Sequence, residues 1–163
     1  MFQLKRLSKK GISAALSKVE RYRLLNEPRE AESICLDVLE IDPKNQKALV
    51  SLLLSITDQF GQGRSDEDAR RVLQSIKGAY EKVYYEGIIC ERMAKTTLRR
   101  GTPGSESDAY EWLRDAMANF AKAEKVRPKG NDNAILRWNS CARIIMEADL
   151  TPRAEDKALN MLE

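Results

Sequence analysis

Residues 28–45, PREAESICLDVLEIDPKN, have a counterpart 85 positions later in residues 113–130, LRDAMANFAKAEKVRPKG. Ala31 aligns with Ala116, Cys35 with Phe120, Val38 with Ala123, Ile41 with Val126, and Pro43-Lys44 with Pro128-Lys129. Within each stretch the apolar positions recur every three or four residues, which is the period of one helix face. A small residue early in the helix and a proline just beyond its end complete the pattern. An alanine at a helix crossing lets two backbones approach, and recurrence of the whole unit predicts stacked supersecondary elements.

The same periodicity extends outward in both directions. Ala15, Leu16, Val19, Tyr22 and Leu25 mark a first helix from Ile12 to about Asn26, and Pro28 starts the second, which runs to about Ile41. Asp42-Pro43 reads as the start of a third helix ending near Phe60, apolar on more than one side between Ala48 and Ile56 and therefore expected to be the most buried. Gly61 and Gly63 break it. Ser65-Asp-Glu-Asp68 reads as a cap with acids at the positive end of a fourth helix, which closes near Gly78. A fifth is expected from Tyr80 to Arg99 and a loop from Gly101 to Ser107. A sixth should span Asp108 to Val126, a seventh Asp132 to Glu147, and a short eighth begins at Thr151-Pro152. The fold class is therefore all-α, built from about eight helices in antiparallel pairs. A basic arm over 1–11 precedes a single helical domain over 12–163, whose last segment, about 151–163, serves as a cap through Ala158, Leu159 and Leu162.

The unit from Ile12 to Asn45 resembles the tetratricopeptide repeat family, a 34-residue helix pair closed by a proline. Tyr22 matches the aromatic late in the first helix, Ala31 the small residue of the second, Cys35 the larger apolar position and Pro43 the closing proline. Ala116, Phe120, Ala123 and Pro128 match a second closing half, and Gly87 fits the small residue of the first helix before it. The loop at Gly61–Gly63, the absence of a proline at Lys77-Gly78 and the extra length near residues 95–107 depart from the family pattern.

The resemblance implies hairpins stacked as a short right-handed α-solenoid, with the first helix of each pair lining a concave groove. It would place Leu16, Glu20 and Arg23, then Lys47, Val50, Ser51 and Leu54, then Tyr84, Ile88 and Glu91, and finally Arg137, Ser140 and Arg143 on that groove. Leu16, Glu20 and Ser51 stand where family members that grip a terminal carboxylate carry Lys, Asn or Arg. An extended peptide or a partner helix is the expected occupant.

Composition removes competing functions. The 163 residues are 42% hydrophobic and 33% charged, with 8 Gly and 5 Pro, which describes a globular chain. Histidine is absent, so His-based acid–base chemistry, His-dependent nucleophilic triads and most zinc and iron sites are excluded. Gly61-x-Gly63 and Gly101–Gly104 lack the flanks of a phosphate loop, and Asp66, Glu67 and Asp68 read as a helix cap before they read as a cation site. No cofactor or metal is expected, and the chain reads as a non-enzyme. Cys35, Cys90 and Cys141 are widely spaced and read as buried thiols in a reducing, cytoplasmic setting. Tyr80 and Tyr84 share a helix face and read, with Trp112 and Trp138, as packing residues.

Net charge is +3, yet Lys5, Arg6, Lys9, Lys10 and Lys18 precede the first acid, Glu20. That arm, with Arg99-Arg100, supports a second reading: nucleic-acid or ribosome association. A helical-bundle enzyme or small-ligand carrier is the third. The leading expectation is a protein–protein interaction adaptor, monomeric or weakly dimeric. No 18-residue apolar run exists to span a membrane.

Overall fold

A computed structural model describes residues 1–153. They carry one 3-10 turn, Lys9–Gly11, and seven α-helices: α1 (Ile12–Leu24), α2 (Pro28–Ile41), α3 (Gln46–Thr57), α4 (Asp66–Leu73), α5 (Ala79–Arg100), α6 (Ser105–Lys125) and α7 (Asn133–Glu147). Apart from an isolated bridge between Phe60 and Arg64, β structure is absent among the described residues. The predicted eighth helix falls largely on residues 154–163, outside the described residues. The chain divides into two compact units, the first Met1–Lys77 and the second beginning at Gly78.

Local chemistry explains most boundaries. Pro28 occupies the first turn of α2, where its missing N–H is no loss. The start of α3 differs from expectation. Asp42 closes α2, donating its N–H to Val38, and Asn45 caps α3 by accepting from the Ala48 N–H at 2.9 Å. Asn45 also donates to Asp42 at 3.1 Å, so the two polar residues share the corner. Ser65 and Asp68 form a reciprocal capping box at α4, as the sequence predicts. The backbone N–H of Ser65 holds the Asp68 carboxyl below its ordinary range. The α6 start also moves, from Asp108 back to Ser105: Gly101 ends α5 at φ +61° and Gly104 turns the chain at φ +84°. The loop shrinks to the four residues 101–104, and Glu106 and Asp108 complement the positive end of the lengthened helix.

In the first unit each helix packs on its successor, and α1 also meets α3. Val19, Ala31, Cys35, Val38, Ala48 and Leu53 are fully buried, and α3 buries seven of its 12 residues, in line with its apolar run. Glu32 of α2 is buried as well. It accepts from Gln59 at 2.5 Å and from Arg64, which fastens the loop after α3 onto α2.

In the second unit α6 packs against both α5 and α7. Gly87 sits where α5 crosses α6: a Cβ there would lie 2.6 Å from the Phe120 ring, which is itself fully buried. Tyr84 stacks on Tyr80 at 5.3 Å and tilts onto Phe120 at 5.8 Å, so the aromatic stripe is packing, as expected. Trp112 is half-buried, whereas Trp138 is 39% exposed, because Ala134 and Cys141 supply the buried stripe of α7.

Gly87→Ala should gain about 1 kcal/mol of helix propensity and lose about 1–3 kcal/mol to overpacking against a ring with no room to retreat. Net destabilisation in urea unfolding, relieved by adding Phe120→Leu, is the expected outcome. A Gly87→Ala protein as stable as the parent would contradict this crossing.

Candidate functional site: the first-helix faces

The residues assigned from sequence to a groove fall on α1 and α3 in the first unit and on α5 and α7 in the second. On the first unit, Lys47 Nζ meets Glu20 at 3.2 Å, both largely exposed, and Arg23 Nε meets Asp58 at 2.7 Å in a part-buried pair. These contacts join α1 to α3 at either end of α3. Between them Val50, Ser51 and Leu54 are half-buried, and the Ser51 carbonyl accepts from the Ser55 hydroxyl at 2.8 Å. Leu16 is buried beneath. The result is a narrow, mostly apolar strip with an ion pair at each end.

On the second unit, Glu91 of α5 is fully buried. Its Oε1 accepts from Lys95 one turn on and from Arg137 of α7 at 3.3 Å, while Oε2 is buried with no hydrogen-bond partner. The Arg137 guanidinium thus donates to Glu91, with Tyr84 close enough to act on it. Burial by itself would lower the pKa of Arg137, but Glu91 and Tyr84 raise it overall. Ile88 is buried, so neither Ile88 nor Glu91 presents a side chain outward. Ser140 is half-buried and Arg143 exposed.

Several of the charges assigned from sequence to the groove are engaged within their own unit. Arg23, Lys47 and Arg137 are each engaged by a carboxylate of the same unit. The part of Glu32 went unread, although its position three residues before Cys35 puts an acid on the inward face of α2.

The thiols are buried, as expected, and none of the three is in a disulfide. Burial pushes Cys35 up to about 12, with Arg23 opposing and Glu32 adding to the shift; burial pushes Cys141 up to about 12, with Glu91 adding. Among the described residues no cluster of three or more metal-binding side chains occurs, and no helix is long and apolar enough to cross a membrane. Comparison with models of known families, with curated proteins and with solved structures finds no match.

The raised thiol pKa values set a pH dependence. The folded protein keeps protons that the unfolded chain releases above about pH 8.5, so stability is complete below that pH and declines as pH rises toward 12. Urea unfolding across this range should show a shallower decline in Cys35→Ala/Cys141→Ala than in the parent. Parallel slopes would contradict the burial of these thiols.

Proposed function

We propose that this protein is a non-catalytic interaction module whose hairpins stack in the tetratricopeptide manner, as a right-handed solenoid within each unit. A peptide segment or partner helix lies on the first-helix face. The observation that carries this reading is the strip Val50–Ser51–Leu54 on α3. It is half-exposed, apolar and flanked by charged pairs, which suits an amphipathic segment whose apolar side enters the strip. The buried small residues Ala31, Gly87 and Ala116 support the stacking. One preformed groove of this kind corresponds to micromolar affinity, about 8 kcal/mol.

The ion pairs change which substitutions are informative. Arg137 holds Glu91 in place, so altering it tests the fold before it tests binding. Val50→Asp with Leu54→Asp addresses the strip itself, and Ser13→Asp on the exposed side of α1 serves as its control. In affinity purification the double variant should recover the co-purifying partner about tenfold less well than the control, with its circular dichroism spectrum unchanged. A photo-crosslinker at position 51 should join the same partner. Equal recovery by the double variant and the control, with no adduct at position 51, would overturn the proposal.

A further inference from the structure

The segment before α1 combines two properties, exposed apolar side chains and exposed cations. Met1, Phe2 and Leu4 are the most exposed large apolar side chains, with Leu4 at 92%. Lys5, Arg6, Lys9 and Lys10 are all exposed, and none makes an ion pair among the described residues. Acid is absent from the sequence until Glu20.

The root of the segment is fixed. Leu7 and Ile12 pack on the cluster of Ala15, Leu16, Val38 and Ala48, and Ser8 accepts from the Gly11 N–H at 3.2 Å to hold the 3-10 turn. The residues before Leu7 thus extend from a structured base, with Leu4, Lys5 and Arg6 running beside Leu36 of α2. Their nearest acids are Asp37 and Glu40 of α2, which share a hollow of about 380 Å³ with Leu4, Lys5 and Arg6. Lys9 and Lys10 lie outside that hollow.

We propose that residues 1–10 anchor this protein to an anionic phospholipid surface. Met1, Phe2 and Leu4 enter the headgroup–acyl boundary while Lys5, Arg6, Lys9 and Lys10 lie against the phosphates. Neither part suffices alone, since a few apolar side chains or a short basic patch gives only marginal membrane affinity and the pair gives stable attachment. The apolar residues discriminate among anionic partners. RNA would engage the cations and could stack on Phe2, but Met1 and Leu4 would gain nothing from it. This inference is independent of the groove on α3.

Co-sedimentation of the full chain with phosphatidylcholine vesicles, with and without phosphatidylglycerol, tests it. At about 0.1 M salt the protein should pellet with the anionic vesicles at least tenfold more strongly than with neutral ones, and raising salt several-fold should release it. Phe2→Ser/Leu4→Ser keeps every charge and should weaken binding about tenfold; reversing Lys5, Arg6, Lys9 and Lys10 to Glu should abolish it. Failure to pellet with anionic vesicles would overturn the proposal. So would a Phe2→Ser/Leu4→Ser protein that binds as tightly as the parent, or polyuridylate binding that outcompetes the vesicles and ignores that substitution.

Discussion

Glu91 carries the organisation of the second unit. A carboxylate removed from water must be neutralised by neighbours, and its two cations come from different places: Lys95 from the next turn of α5, Arg137 from α7. Lys95 would be within reach in any arrangement of the helices. α7 packs on α6, so the bond from Arg137 ties it back to α5 and favours the register in which the two side chains meet. Arg23–Asp58, part-buried, and Glu20–Lys47, at the surface and correspondingly weak, link α1 to α3 in the first unit.

Those links are possible because the helices lie close. Gly87 lets Phe120 rest directly on the α5 backbone, and the fully buried alanines at 31 and 116 leave no side-chain bulk at the corresponding positions of α2 and α6. Small residues set the spacing and buried charges set the register. In the first unit Glu32 has a third role, holding the loop after α3 against α2 through Gln59 and Arg64.

Much of this was legible in the sequence. The 3.6-residue period, Pro28 and the glycines at 101 and 104 placed the helices, with errors at the end of α4, which closes at Leu73 and not near Gly78, and at the starts of α3 and α6. There, the side-chain cap at Asn45 and the left-handed turn at Gly104 set starts that the period alone does not specify. Which positions share a helix face was legible too, since that follows from the helical period. The pairing of their charges was not, because a charge on an amphipathic helix reads the same whether its neighbour is solvent, a partner or the next helix. Glu91 shows this: only the approach of α7 removes it from water. Trp138 shows the converse, a large apolar residue left part-exposed because smaller residues fill the buried stripe of its helix.

The register set by Glu91 is tested most directly by a double-mutant cycle on Glu91 and Arg137, using Glu91→Gln and Arg137→Met with stability read from urea unfolding. A buried, correctly aligned pair predicts a coupling above about 1 kcal/mol that survives a several-fold rise in salt. Additive single effects, or a coupling that salt removes, would mean that α7 is held by its packing on α6 alone and that the buried acid does not fix its alignment.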